Sequence, residues 1–306
     1  MFLLIIGTGA AASSIFGIIN EFRGYSFSAG GDQTLETIIS IPNILKKYNK
    51  NLVGYSTGKD VILSPFGRSN NHFNIAASGH EAKNIPEQAR ELVRRMKNSK
   101  EFNYKTDWKL VTIFIGGNDL CKFCKNKTLH SPQSYINFIQ EGLDILFREL
   151  SKTFVNLISV MKIHTMPGLN LKFSCGQVQN YVCSCASNPE NENEKKLLIE
   201  ANEQYVNYTH NLVNSNRYER NDFTVVVQPL LESMDLPRTS NGDVDLTYYA
   251  PDCMHYSKKG HAKLAVSLWN NMFTAVGKKN KEWIENEKIL CPTVEKPYLC
   301  SRKNKC

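Results

Sequence analysis

The sequence lacks any apolar run near the ~20 residues that a membrane-spanning helix needs, so no such helix is predicted. Its apolar start, residues 1–6, is short for a signal-peptide core and has no basic flank. Aromatic and basic residues are not interleaved as in nucleic-acid-binding proteins, and we expect no nucleic-acid partner. Without internal repeats or a long linker, residues 1–306 are predicted to form one domain, in which 275–306 is a tail containing Cys and Lys.

Cysteine is plentiful, and nine residues in a chain of 306 point to an oxidising compartment. Cys121-Lys-Phe-Cys124 and Cys183-Ser-Cys185 resemble zinc or redox motifs. No regular set of further ligands follows them, so we favour disulfides and expect neither a metal nor another cofactor. An odd total leaves one thiol over, with Cys253 and Cys306 as candidates.

The charge and the glycosylation signals also fit an oxidising, extracellular compartment. The net charge of +8 comes from scattered lysines and a basic tail. These residues form either an ordinary solvated surface or a surface attracted to anionic lipid. Sequons at Asn126 and Asn207 are glycosylation candidates. We therefore expect a secreted protein, or one on the extracellular face of a membrane, although no signal is visible in this chain.

Strands alternate with helices along the chain. Lys109–Ile115 is a continuous apolar run, typical of a buried parallel strand. The Cys-rich segment 175–185 reads as irregular. Further strands are predicted at 1–6, 154–163 and 223–227, and helices at 34–47 with a bend near Pro42, at about 84–96, from Ser131, at about 190–214 and at about 260–273. This alternation indicates an α/β fold with a parallel sheet.

Asp252 and His255 stand three residues apart, just before a predicted helix. A hydrolytic triad needs a carboxylate that fixes the tautomer of a histidine, and the histidine then acts as general base and general acid. The pair is a candidate acid and base, although D-x-x-H is a common pattern. His261, one turn into the predicted helix, is expected to be a structural partner.

Two small-residue loops are candidate oxyanion holes. Gly116-Gly117-Asn118-Asp119 follows the apolar strand, where ligands gather in parallel sheets, and Asn118 offers a side-chain amide. Asn74–Gly79 is similar, and the N–H of Gly79 is a second candidate donor. Gly and Asn are also the residues that ordinary turns favour, so both loops can equally be plain turns.

Several ordered blocks together resemble the animal phospholipase B group of GDSL-type, SGNH-fold lipases, from Gly7 to about residue 300. The blocks are Glu21–Asp32, Asp107–Cys121, Asp222–Pro229, Ala250–His255 and Leu268–Met272. The resemblance implies a three-layer α/β/α sandwich with a mostly parallel sheet, and metal-free hydrolysis of phospholipid and lysophospholipid esters at a membrane or micelle surface. It also implies that Asp252 and His255 complete a Ser-His-Asp triad and that Gly79 and Asn118 are oxyanion donors.

The nucleophile departs from the family pattern. The family opens with G-D-S-L-T-A-G, whose serine lies on the turn after the first strand, and Gly7-Thr8-Gly9-Ala10 matches the part that begins at the last glycine. Counting back puts Leu3, which has no nucleophilic group, at the position of the serine. Ser13 and Ser14 lie beyond the motif and are poor replacements.

Three hypotheses follow from this gap. The first is a lipid ester hydrolase whose signal, first strand and serine precede this sequence, which the transcript upstream of Met1 would show. The second is an inactive relative that binds lipid or a partner, and the third is an esterase for carbohydrate or other small esters. The retained Asp252, His255, Gly79 and Asn118 favour the first. Oligomeric state is not predicted.

For this polypeptide itself we predict no serine-dependent turnover, because Leu3 cannot attack an ester. Incubation with a fluorophosphonate probe, followed by mass spectrometry, should find no labelled serine. Labelling of any serine would contradict the prediction.

Overall fold

The computed structural model describes residues 2–6, 20–61, 72–169, 173–304 and 306. Six strands are present in these ranges: β1 Phe2–Ile6, β2 Asn20–Glu21, β3 Asp60–Val61, β4 Lys109–Phe114, β5 Thr153–Ile158 and β6 Phe223–Gln228. The helices are α1 Ile41–Lys46, α2 Ile85–Asn98, α3 Gly117–Cys121, α4 Pro132–Glu149, α5 Phe173–Val182, α6 Ser184–Ser187, α7 Glu192–Asn214 and α8 Lys258–Met272.

The core is a parallel four-stranded sheet in the order β1-β4-β5-β6. In register, Ile6 of β1 pairs with Ile113 of β4, and Ile158 of β5 pairs with Gln228 of β6. Strands β4 and β5 are buried over almost their whole length, as expected of strands that are covered on both faces. The short strands β2 and β3 form a separate antiparallel pair.

Helices cover both faces of the sheet. Helix α4 packs on α2 and α7, whereas α8 packs on α1 and β6. Because side chains alternate along a strand, Asn156, which contacts Met272 of α8, points away from its neighbours Val155 and Leu157. The arrangement is the three-layer α/β/α sandwich predicted from the sequence, which is confirmed. No helix in the described ranges is both long enough and apolar enough to span a bilayer.

Three local predictions were wrong. The helix expected at 34–47 begins only at Ile41, where Ser40 caps it through a 3.2 Å bond from Asn43 N, so Pro42 lies in the first turn, where proline is favoured. Strand β5 ends at Ile158, and Ser159 makes one more bond to β6, from its N–H to Gln228 O at 3.2 Å, before the chain turns away. The Cys-rich segment is mostly helical, as α5 and α6.

Four disulfides are formed: Cys121–Cys183, Cys124–Cys185, Cys175–Cys253 and Cys300–Cys306. The disulfide prediction is therefore confirmed. The proposed leftovers were wrong, since Cys253 and Cys306 are both bonded and the exposed Cys291 remains outside any disulfide. In the described ranges, no group of three or more His, Cys, Asp or Glu is arranged to hold a metal ion.

Candidate active site

Asp252 and His255 meet in a tight hairpin that precedes α8. The hairpin is closed by the antiparallel bridge between Tyr249 and Tyr256 and by a 2.7 Å hydrogen bond from Ala250 N to His255 O. At its tip Cys253 has φ 53°, a left-handed conformation that non-glycine residues rarely adopt. This turn brings side chains three residues apart to one point.

The acid of the pair is buried and the base is accessible. Asp252 Oδ2 lies 2.7 Å from His255 Nδ1, while Oδ1 accepts 3.0 Å bonds from the backbone N–H groups of Met254 and His255. The Asp252 side chain is 2% exposed and that of His255 is 44% exposed. Because Nδ1 is engaged, Nε2 of His255 is the nitrogen left for a reacting group.

Their mutual contact shifts both pKa values. Burial raises the pKa of Asp252, but the hydrogen bond and charge of His255 and two backbone N–H groups outweigh it and hold this pKa below its ordinary value. Burial lowers the pKa of His255, and the bond and charge of Asp252 reverse this and raise the pKa above 6.5. The carboxylate therefore stabilises the imidazolium that forms when His255 takes a proton.

His261 differs from His255 in its surroundings. It is 4% exposed, its Nδ1 accepts a 3.3 Å bond from Phe27 N, and its ring stacks on Phe27. Burial, and secondarily the charge of His255, lowers the pKa of His261 to about 4. It is thus a neutral packing residue at neutral pH, which suits the structural role predicted for it.

The two candidate oxyanion loops lie against each other. Asn118 is in the first turn of α3, directly after β4, and its Nδ2 donates a 2.9 Å bond to the carbonyl of His80. One amide hydrogen is thus committed to the backbone and the other remains for a ligand. Gly79 is exposed and has φ 76°, which only glycine adopts without strain. Apart from its two chain neighbours, no described residue has an atom within 4 Å of where its Cβ would be.

Neighbouring side chains fix these loops, and they were not predicted. Buried Arg23 pairs with Glu21 and donates a 3.0 Å bond to Ala76 O, while Glu21 accepts from Ser78. Asp119 accepts from the backbone N–H of Ala82 at 3.0–3.1 Å. Glu21 and Arg23 belong to a block that carries the family resemblance, but nothing in the sequence shows that they contact a loop more than 50 residues away.

A cavity of about 130 Å³ connects these elements. Its polar walls include His80, Gln88, Asn118 and His255, and Gln88 Nε2 lies 2.7 Å from His80 Nδ1. Its apolar walls include Phe27, Phe114, Met161, Ile163, Met166 and Met254. Gly79 itself does not line the cavity, although Ala77 and His80 on either side of it do. The arrangement suits a ligand with an apolar body and one polar group.

No candidate nucleophile lines this cavity in the part of the chain that the structure describes, since its one cysteine, Cys121, is in a disulfide. Leu3, counted as the serine position, pairs with Leu110 inside β1. It therefore lies within a strand and not on the turn that follows. Gly7-Thr8-Gly9-Ala10, Ser13 and Ser14 lie outside the described residues.

The shifted pKa of His255 gives a direct test of its contact with Asp252. A proton NMR titration of this chain should place the pKa of His255 above 6.5, with the signal assigned by His255→Gln. Asp252→Asn removes the negative charge, so the His255 pKa should fall, while His261 stays neutral down to about pH 4 in both proteins. An unchanged His255 pKa in the Asn variant would contradict the pairing.

The disulfide next to Asp252 should be an important contribution to stability. Cys175–Cys253 joins residues 78 apart, and loop-closure entropy predicts about 4 kcal/mol of stabilisation. Cys300–Cys306 joins residues 6 apart and should contribute about 2 kcal/mol. Urea unfolding of the two matched double Cys→Ala variants measures both free energies of unfolding. Equal losses, or a larger loss for the shorter loop, would contradict this ranking.

The chain is similar to known proteins over most of its length. A family model described as "GDSL-like Lipase/Acylhydrolase" matches residues 23–268. "Phospholipase B1, membrane-associated" of Homo sapiens is 40% identical over 305 residues, covering 97% of this chain and 21% of the human protein. The Mus musculus protein of the same name is 41% identical over 312 residues, with 98% and 21% covered. The chain thus spans about a fifth of the length of these relatives. The predicted resemblance is confirmed.

Proposed function

Because the chain belongs to the GDSL-like lipase and acylhydrolase family, we propose that it has the site of a lipid carboxylic-ester hydrolase that acts on phospholipids and lysophospholipids. The observation that carries the proposal is the 2.7 Å contact between Asp252 and His255 at a cavity with apolar walls. Similarity to proteins named phospholipase B1 supports the substrate class.

The proposed mechanism assigns one role to each side chain. His255 Nε2 takes the proton of a serine hydroxyl as its oxygen attacks the ester carbonyl, and Asp252 stabilises the resulting imidazolium. The second amide hydrogen of Asn118 and the N–H of Gly79 donate to the oxyanion. His255 then returns the proton to the departing glycerol oxygen. In the second half, His255 takes a proton from water as the water oxygen attacks the acyl carbon, and gives it to the serine oxygen as the acyl–serine bond breaks and the fatty acid leaves.

In this proposal the serine is the group that the chain does not supply. No Gly-Asp-Ser stretch occurs in the sequence, and no nucleophile lines the cavity among the described residues. That observation favours a second candidate function, a lipid- or partner-binding relative without catalysis. A variant that adds the missing motif separates the two.

The motif-insertion variant has Gly-Asp-Ser-Leu-Thr-Ala inserted between Ile6 and Gly7. Strand β1 ends at Ile6, which pairs with Ile113, and its neighbour β4 leads directly to Asn118. Since the carboxyl ends of neighbouring parallel strands meet at one edge, the added serine would follow β1 on the side of Asn118. The original residue numbers are kept for the rest of the chain.

The variant should hydrolyse lysophosphatidylcholine and phosphatidylcholine faster than acetylated sugars, because the cavity walls are mainly apolar. Fatty acid and acetate release are measured side by side. Activity on acetylated sugars alone would indicate an esterase of another substrate class. A folded variant that binds lysophosphatidylcholine without cleaving it would support the binding module.

The four disulfides fit an oxidising compartment, and we propose a secreted protein or one on an extracellular membrane face. The glycosylation candidates Asn126 and Asn207 are both exposed. A lipid substrate also implies contact with a membrane or micelle surface.

A further inference from the structure

A second cavity adjoins the one that contains His255. The outer cavity, of about 30 Å³, is lined by Met234, Leu236, Leu169 and Tyr249. Met161, Ile163, Met166, Met254 and Tyr256 line both cavities and so form the partition between them. The two spaces are therefore separated by a single layer of side chains.

Methionine is concentrated at this partition. Four of the seven methionines in the chain, Met161, Met166, Met234 and Met254, line one or both cavities. Methionine is unbranched, has three rotatable bonds and changes shape without loss of apolar surface. Branched side chains have fewer conformations and would form a more rigid wall.

The partition includes one polar contact to a methionine sulfur. The polar contact to a sulfur within it is long, 3.9 Å from Tyr256 Oη to Met161 Sδ. The outer cavity, at about 30 Å³, is much smaller than the inner one, at about 130 Å³, so a long acyl chain would enter it by displacing the methionines. Its far wall includes Lys162 and Asp235, which form a 3.3 Å ion pair with Asp235 84% exposed. The outer cavity thus has an apolar partition on the side of His255 and a charged pair, Lys162 and Asp235, in its lining.

We propose that Met161, Met166 and Met254 form a movable partition, through which the acyl chain of the substrate passes from His255 into the outer cavity beside Met234. The inference rests on the proposed hydrolysis of lipid esters and adds where the fatty acyl chain lies. Short chains occupy the inner cavity alone, and longer chains displace the methionines and reach Met234.

Free fatty acids test this in the chain as it stands, because binding of the product requires no nucleophile. The protein is labelled with ¹³C in the methionine methyl groups, and each signal is assigned by a Met→Leu variant. Octanoate should shift the signals of Met161, Met166 and Met254, and dodecanoate should shift that of Met234 as well. Met96 and Met272, which are buried and line neither cavity, are internal controls.

A matched pair of variants tests the outer cavity itself. Met234→Phe fills it, whereas Met234→Leu keeps an apolar side chain of similar volume. Each added methylene that is buried should raise affinity about fourfold, so dodecanoate should bind far more tightly than octanoate. Met234→Phe should remove this difference and Met234→Leu should keep it.

The outcomes separate the inference from the proposed function. Dodecanoate that shifts the inner methionines but never Met234 would overturn the acyl path and leave an ester site at His255 intact. The absence of any methionine shift would also overturn it, while hydrolysis by the motif-insertion variant would still decide the proposed function. Equal affinity of the Phe and Leu variants for dodecanoate would contradict the role of Met234.

Discussion

The motif-insertion variant is expected to release fatty acid from lysophosphatidylcholine, whereas the chain without the insertion releases none above background. Loss of the serine from a hydrolase triad lowers kcat about 10⁶-fold, so recovery of even a small part of that factor should exceed background by about 10³-fold. The gain relies on residues already in place, since Asp252 and His255 are 2.7 Å apart and Asn118 lines the same cavity.

The matched control carries Gly-Asp-Ala-Leu-Thr-Ala at the same position. It has the same length and differs by one oxygen, so any effect of the insertion on folding is common to both proteins. Circular dichroism and urea unfolding of the two variants establish that they fold equally well. Equal fatty acid release by the Ser and Ala insertions would contradict a serine mechanism.

Asp252→Asn in the motif-insertion variant should lower kcat about 10⁴-fold, the usual effect of replacing the carboxylate of a Ser-His-Asp triad by an amide. The amide offers His255 a donor or a neutral acceptor and cannot stabilise the imidazolium. The KM for lysophosphatidylcholine should change little, because Asp252 is 2% exposed and does not line the cavity.

The pH profile distinguishes this role from a structural one. In the Asp252 protein, kcat/KM should rise with pH as His255 loses its proton, with an apparent pKa above 6.5. In the Asn variant the rise of kcat/KM should occur at lower pH, because the negative charge that raises the His255 pKa has been removed. A lower rate with an unchanged apparent pKa for the rise in kcat/KM would indicate that Asp252 only supports the fold.

The sequence correctly predicted those elements that are determined by residues close together in the chain. The apolar run 109–115 became β4, and the pattern around Ser131 and Pro132 became α4, because both the burial pattern and the cap are written in neighbouring residues. The Asp252–His255 pair was likewise found because one hairpin joins the two residues. Gly79 and Asn118 were candidates from their loops alone, and the family resemblance then favoured an oxyanion role over ordinary turns, which spacing alone could not do.

Features that depend on distant partners were missed. The late start of α1 depends on the Ser40 cap, whose Oγ also donates a 2.6 Å bond to Gly30 O. The cysteines of the Cys-rich segment bond to Cys121, Cys124 and Cys253, and no spacing reveals these pairings. Glu21 and Arg23 contact the candidate oxyanion loop 74–79 across more than 50 residues. Local sequence patterns cannot predict contacts between residues that are so far apart in the chain.

The most direct test of the account is to map the covalent adduct of a fluorophosphonate probe by mass spectrometry. The chain as it stands should carry no adduct, and the motif-insertion variant should carry one, on the inserted serine. His255→Ala in that variant should abolish it, because the serine would then lack its base. An adduct on any serine of the unaltered chain, or one on the inserted serine that survives His255→Ala, would contradict the account.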